Sequence, residues 1–427
     1  MQNEFDSPDE SEWDEEEPYY DWDDPDWRED WDDDVRIKMA AFPVSGDLVY
    51  YPPKEKNMTS NVNQSSGITR KGFLAGIGAS AMAKWGMAAE PVTDWRPAER
   101  WRGFNILGMF RCPTNGLKPD PRVDGHFVEW EFKALHDWGF NFARLPLDYR
   151  ILIAGDSWTN LSEQKMKHLD AAVRWGRQYG IHVQIALHRI PGYCILDQTE
   201  AFPLGTSPVA QEAACKMWAA FAKRWKGIPN EVLSFNLFNE PTRHTAGKNY
   251  LPLCRKLIDA IRKEDPARFI MVDGNYCAGV PVPELYKVPS VGQAFRGYTP
   301  HAITHYGTDY IHGIPKAPPT WPLASGYAPR GLSASPESTV SVYQKALDAG
   351  EFCMVGEFGC NNGTPHAVAL AWMEHCLKLW KGKNIGWALW NLRGRFGIMD
   401  SGRTDIAYED FNGHKLDRGM LELLRRY

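Results

Sequence analysis

The residues best suited to chemistry in this sequence are two glutamates that each end a short apolar run. Residues 232–241 read V-L-S-F-N-L-F-N-E-P, and the run stops on Asn239, Glu240 and Pro241. Its apolar side chains are broken only by Ser234 and Asn236, the pattern of a parallel strand covered on both faces. Proline cannot continue the ladder, so the strand ends there and a loop begins. Residues 352–359, F-C-M-V-G-E-F-G, end in the same way on Glu357 and a glycine. A carboxylate where a buried strand opens into a loop is costly to place without a task. Either glutamate alone could be a helix-capping or salt-bridged acid. Two of them, 117 positions apart, have the makings of an acid/base pair.

A frame must bring those positions together. From Trp95 onward the chain alternates strand-like and helix-like segments. Strands are expected at 103–109, 141–146, 182–188, 232–239, 269–273, 292–298, 353–357 and 385–390. Amphipathic segments lie at 127–138, 162–179, 209–226, 250–263, 338–349, 367–381 and 416–425. Ser207-Pro208, Ser335-Pro336 and Thr364-Pro365 each put a capping hydroxyl before a proline at a helix start, and Asn160 with Glu163 has capping-box spacing. Eight strands alternating with helices predict parallel pairing with right-handed crossovers. The count favours a closed α/β barrel, a (β/α)8 TIM barrel forming a single catalytic domain over 90–427, rather than an open doubly wound sheet.

Such a barrel carries its chemistry at the C-terminal strand ends. In order these ends present Arg144, His188, Asn239 with Glu240, Tyr298, Glu357 and Trp390. Taken singly, Arg144 could be a structural ion pair and His188 a satisfied core histidine. Convergence of all of them on one face is much harder to explain by packing.

The motifs G-F-N-F-A-R-L-P, L-F-N-E-P and V-G-E-F-G, in this order on an expected eightfold barrel, resemble glycoside hydrolase family 5, the family of many cellulases and mannanases. The similarity runs from about Trp95 to Tyr427. It implies a retaining mechanism with Glu240 as acid/base and Glu357 as nucleophile, whose carboxyl groups would stand about 5–5.5 Å apart. It also implies that Asn239 holds the sugar 2-hydroxyl, that Arg144 and Tyr298 support the nucleophile, that His188 contacts the sugar before the cleaved bond, and that Trp390 is its stacking platform. Family members often carry H-x-Y after the sixth strand. Here the run is Arg296-Gly297-Tyr298, so a cation stands where the histidine would be. Arg296 would either add positive charge near Glu357 or bind an acid group of the substrate, and His305 is a further loop contributor. Tyr149, Trp158, Tyr193, Tyr306, Tyr310 and Trp321 could line outer sugar sites or simply pack.

The expected activity is cleavage of a β-linked polysaccharide, foremost a β-1,4-glucan in endo mode. A mannanase or a transglycosylase on the same barrel is the enzymatic alternative, and a non-catalytic polysaccharide-binding barrel is the alternative of another class. The 18 Trp, 17 Tyr and 19 Phe fit either a sugar-stacking cleft or a large aromatic core. No G-x-G-x-x-G or P-loop motif follows the first strand, and the body has no basic stripe with interleaved aromatics, so neither a nucleotide nor a nucleic-acid partner is expected. The eight cysteines are scattered without a C-x-x-C pair or a zinc-spaced cluster, so no metal or other cofactor is expected.

The formal charge of −6 conceals an asymmetry. Residues 1–34 hold 18 acidic side chains against one basic, leaving 47 Lys and Arg against 36 Asp and Glu elsewhere. That acid-and-tryptophan segment should be disordered. Residues 68–90 carry the parts of an export signal: Arg70-Lys71, an apolar stretch of about eleven residues, and small residues suited to cleavage near Ala83 or Ala89. The T-R-K-G-F-L order resembles a twin-arginine signal with Lys in second place. We therefore read 58–89 as the signal, with translation from Met58, and 1–57 as an acidic segment outside the native protein, the alternative being an acidic interaction tail. The stretch is too short to span a bilayer, so an exported, unanchored monomer is expected.

Overall fold

The computed structural model describes residues 94–112, 123, 125–155, 157–158, 160–195 and 200–427. The acidic segment 1–57 and the export signal 58–89 lie outside the described residues.

Eight strands run parallel around a closed barrel. They are β1 Arg102–Asn105, β2 Phe142–Asp148, β3 His182–Ile190 and β4 Leu233–Asn236, followed by β5 Ile270–Asp273, β6 Val291–Gly297, β7 Cys353–Phe358 and β8 Gly386–Leu389. Each neighbour in sequence is a neighbour in space, and β1 closes the ring by pairing Gly103 with Phe142 of β2 and Arg102 with Trp387 of β8. Every residue of β2 through β8 is buried, as near-continuous apolar runs require when helices cover the outside. All eight expected strands form, with ends shifted by a few residues.

The outer layer comprises α1 Glu129–Asp137, α2 Glu163–Tyr179, α3 Pro208–Arg224, α4 Tyr250–Glu264, α5 Pro336–Val342, α6 Gln344–Asp348, α7 His366–Gly382 and α8 Arg418–Arg426. The connection from β5 to β6 holds only short helical turns, Asn275–Ala278 and Pro283–Leu285. Two-residue strand Tyr193–Cys194 folds back antiparallel on β3, and Glu409–Phe411 pairs with His414–Leu416 in a hairpin before α8.

Several local expectations are corrected. The helix expected over 338–349 breaks in two at Tyr343, whose ring stacks 4.6 Å from Phe295 and whose hydroxyl donates to the Ala278 carbonyl. Asn160 does not cap α2; Ser162 does, accepting from the Lys165 amide at 3.4 Å. Ser207 and Ser335 occupy cap positions before proline, but their hydroxyls make no capping bond. Thr364 instead donates to the Ile303 carbonyl at 2.6 Å, and Pro365 takes the cap of α7.

The barrel interior is layered. At the N-terminal end Trp101, Phe142, Phe269, Met271 and Met354 form an apolar floor. Above Trp101, His182 stacks at 4.1 Å and bonds Ser234 through Nε2 at 2.7 Å, with Gln184 donating to the same hydroxyl. Above that polar rung the strands end in charge. None of the eight cysteines is joined in a disulfide. No helix among the described residues is long and apolar enough to cross a membrane.

Trp387 in β8 is fully buried between Phe140 and Phe358, at 6.0 and 5.6 Å between ring centres. Trp387→Ala should cost about 3–5 kcal/mol through the cavity it leaves. A urea unfolding curve read by circular dichroism checks this, and a midpoint unchanged from the wild type would contradict the packing described.

Candidate active site

The strand ends gather a buried ionic cluster whose members come from six of the eight strands or the residues just after them. Arg144, from β2, is fully buried and spends four donors on four neighbours. Nη1 reaches Glu357 Oε1 at 2.7 Å and Asn105 Oδ1 at 2.9 Å, Nε reaches Asn236 Oδ1 at 3.0 Å, and Nη2 reaches Asn239 Oδ1 at 2.9 Å. Asn105 is held in turn by donating to the Gly356 and Leu389 carbonyls, at 3.1 and 3.3 Å. Tyr298 donates to the other Glu357 oxygen, Oε2, at 3.2 Å. Glu357 therefore accepts from two sides, a setting suited to an acceptor-only carboxylate.

Arg296 occupies the other side. Its Nε lies 2.5 Å from Glu240 Oε1, and its Nη2 lies 2.5 Å from Asp273 Oδ2, 2.8 Å from Asn239 Oδ1 and 3.3 Å from Glu357 Oε1. Three carboxyl groups thus surround its guanidinium. The register explains how it gets there. A shift in the β6–β7 pairing between Phe295 and Arg296 sets Arg296 directly opposite Glu357. Gly356 makes room, since a Cβ there would stand 2.9 Å from Arg296 Nη1.

Glu240 is held by its backbone as well as its side chain. Its φ of +44° lies in the left-handed region, which a residue with a Cβ adopts only under constraint. The Asp273 carboxylate accepts from its amide at 2.9 Å, and Tyr193 donates to its carbonyl at 2.5 Å. Burial pushes the Glu240 carboxyl up to about 7; Arg296 opposes the rise, while Glu357 and Asp273 add to it.

An aromatic wall stands beside this cluster. His188 lies 5.6 Å from Trp390 in a stacked arrangement, and Phe110, from the loop after β1, meets both rings edge-on at 4.6 and 5.4 Å. Neither ring nitrogen of His188 has a partner, and Asn239 Nδ2 has none, although all are buried. His305 sits 5.3 Å from Tyr298 and 5.6 Å from Phe396, its Nδ1 bonded to the Thr304 hydroxyl.

Residues 130–395, more than half of the chain, match the family model described as Cellulase (glycosyl hydrolase family 5). The chain belongs to glycosyl hydrolase family 5. It is similar to Endoglucanase C of Acetivibrio thermocellus, at 22% identity over 316 residues, covering 68% of this chain and 91% of that protein. Cellodextrinase A of Ruminococcus flavefaciens is 26% identical over 217 residues, covering 50% and 62%. Among solved structures, a glycoside hydrolase superposes with a TM-score of 0.68 at 33% identity over 77% of this chain and 99% of that one. Thermotoga maritima Cel5A with cellobiose shares the fold at a TM-score of 0.57 and 18% identity, covering 76% of this chain and 96% of that one. As a member of the family the chain is a glycosidase.

The structure brings Arg144, Asn239, Glu240, Arg296, Tyr298 and Glu357 into one bonded cluster, with His188, Trp390 and His305 around it. The outer aromatics divide. Tyr193 and Tyr149 are buried and bonded, Tyr149 to Glu200 at 2.8 Å, and Trp321 packs edge-on against His375 of α7. Tyr306 donates to the Lys316 carbonyl, Trp158 meets Phe202 edge-on, and Tyr310 stands 43% exposed beside His305. Sequence reasoning missed four participants: Asn105, Phe110, Asn236 and Asp273. Asp273 carried a usable signal, because I-M-V-D-G ends an apolar run on a carboxylate just as the glutamate runs do.

Four histidines at or below the site are buried and neutral. Burial lowers His182 to about 3 and His301 to about 4, and lowers His188 and His305 well below the ordinary range. Unfolded histidine takes up a proton near pH 6.5, so below that pH the unfolded state binds protons that the fold refuses. Stability contributed by these neutral rings is present above pH 6.5 and is lost as the pH falls toward 4. Each adds up to about 1.4 kcal/mol per pH unit in that window. Urea midpoints measured from pH 7.5 to 4.5 should fall, and less steeply in His301→Gln.

Proposed function

We propose that the chain is a retaining endo-β-1,4-glucanase in which Glu357 is the nucleophile and Glu240 the acid/base. One observation carries the reading: a single guanidinium, that of Arg296, touches both carboxylates through Nε and Nη2. Oxygens bound to neighbouring nitrogens of one planar group are held close, as the spacing of about 5–5.5 Å for retention demands. Their surroundings also differ in the required sense. Glu357 accepts from Arg144 and Tyr298, whereas burial pushes the Glu240 carboxyl up to about 7, so a substantial share of it still carries a proton at neutral pH.

Glu357 attacks the anomeric carbon and the glycosidic bond breaks. Glu240 gives its proton to the departing oxygen, leaving a sugar covalently bound to Glu357. Glu240, now ionised, removes a proton from water, which displaces Glu357 and releases the sugar with its original configuration. The unpartnered nitrogens of His188 and Asn239 suit sugar hydroxyls, because a buried donor without a partner costs about 1–3 kcal/mol until it finds one. Trp390, braced by His188 and Phe110, offers a flat apolar face to a pyranose ring.

The choice of a β-1,4-glucan rests on the endoglucanase and cellodextrinase among the relatives. A polymeric substrate of this kind fits the export signal read in the sequence, and the enzyme is proposed to act outside the cell as a monomer. Products released from cellulose, mixed-linkage glucan, xyloglucan and mannan would separate this assignment from a mannanase, and longer oligosaccharides formed at high substrate concentration would mark a transglycosylase.

Glu357→Gln should lower kcat by at least about 10⁴-fold, the scale of losing a nucleophile, while cellooligosaccharide binding measured by calorimetry persists. Turnover at the wild-type rate would overturn the nucleophile assignment, and loss of glucan binding with activity retained on mannan would overturn the substrate. Nuclear magnetic resonance of the first products formed should show the β-anomer.

A further inference from the structure

The pairing of Arg296 with Asp273 is not accounted for by the two-carboxylate mechanism alone. Asp273 is completely buried at the end of β5, and one of its oxygens receives both Arg296 Nη2 and the Glu240 amide. Its other oxygen accepts from Asn236 Nδ2 at 3.1 Å. It belongs to neither the nucleophile nor the acid/base, yet it touches the backbone of one and the cation that bridges both.

Count the charges that face Glu240. Arg296 and Tyr298 come from β6 and its end, Asp273 from β5 and Glu357 from β7. Tyr310, from the loop after β6, is close enough to feel the Glu240 charge, and Tyr193 touches only its carbonyl. Arg144 stands behind Glu357. Burial holds the phenols of Tyr298 and Tyr193 neutral, as it does the ring of His188. Besides Glu240, the two guanidiniums of Arg144 and Arg296 thus face two carboxylates, those of Glu357 and Asp273. The buried cluster is electrically balanced only when Glu240 carries its proton.

We infer that Asp273 and Arg296 act as a charge-balanced positioning pair that keeps Glu240 protonated and aims its carboxyl. This deepens the acid/base reading of Glu240 and rests on it. An arginine where a histidine is common adds a positive charge beside the acid, which alone would strip its proton. Asp273 cancels that charge, so the guanidinium can orient Glu240 without ionising it. Its grip on the Glu240 amide also fixes the left-handed turn from which the side chain projects. The position of the Glu240 carboxyl near 7 agrees with this balance.

The two residues should then move the alkaline limb of the kcat/KM profile in opposite directions, since that limb reports the acid in the free enzyme. Asp273→Asn leaves an uncancelled cation, which favours ionised Glu240, and the limb should shift to lower pH by about one unit. Arg296→Gln leaves an uncancelled anion, and the limb should shift to higher pH. Arg296→Lys keeps the charge but not the forked geometry, so the limb should stay while kcat falls. The double variant Asp273→Asn/Arg296→His should return the limb toward its wild-type place with kcat above that of either neutralising single variant.

A purely structural role would lower activity without moving the limb. Shifts of the same sign in both single variants, or no shift in either, would overturn the inference. Each arm decides by its sign, so one variant failing to fold leaves the other decisive. Glu240→Gln separates the two claims. Wild-type turnover there sinks the acid/base reading itself, whereas an inactive Glu240→Gln alongside unshifted limbs sinks only the pair.

Discussion

Two guanidinium groups buried at the mouth of a barrel impose the constraint from which the rest of the site follows. An isolated charge in an apolar interior is prohibitively costly, and an ion pair there is tolerable only when every donor and acceptor is satisfied. Arg144 meets this demand with Glu357 and the side-chain oxygens of Asn105, Asn236 and Asn239. Arg296 meets it in part, placing Nε and Nη2 among three carboxyl groups and the same Asn239 oxygen while its buried Nη1 has no partner. Asn239 thus joins the two halves, and its remaining donor is left for something outside the cluster.

That constraint explains why a barrel suits this chemistry. Bringing six polar side chains within a few ångströms of one another requires their strands to converge, and a closed parallel sheet delivers every C-terminal end to one rim. The helices and the apolar floor supply the burial, while the rung of His182, Gln184 and Ser234 separates floor from charge. Precision comes from irregularity. Register shifts in both the β6–β7 and β7–β8 pairings interrupt the regular pleat at the end of β7, and the first of them sets Arg296 opposite Glu357.

Much of this was legible in the sequence because strands buried on both faces leave uninterrupted apolar text, and their ends are where that text breaks. Glu240 and Glu357 are such breaks, and the eight-strand count follows from the same reading. Asn105 and Asn236 end β1 and β4 but escaped because the apolar text runs on past them, so each reads as a tolerated interruption until its partner from another strand is known. Asp273 ended a run in the expected manner, but a third carboxylate has no place in a two-carboxylate scheme. Helix boundaries failed for a different reason. A serine or threonine before proline predicts a cap only if its hydroxyl is free, and Thr364 is drawn to the Ile303 carbonyl by tertiary contacts that no local window contains.

The same arrangement sets binding against stability. A left-handed glutamate, unpartnered donors on His188 and Asn239, and an indole left partly open to solvent each weaken the free fold by amounts of order 1–3 kcal/mol. A pyranose seated on Trp390 with its hydroxyls on those donors would recover much of that deficit at the moment of binding. The unpartnered donors at the site are thus ones that a substrate can satisfy, while Arg144 and Arg296 are already held by their neighbours. Since their partners are already in place, the charges need little rearrangement as the glycosidic bond breaks, and preorganisation of this kind is the larger part of what an enzyme contributes to such a reaction.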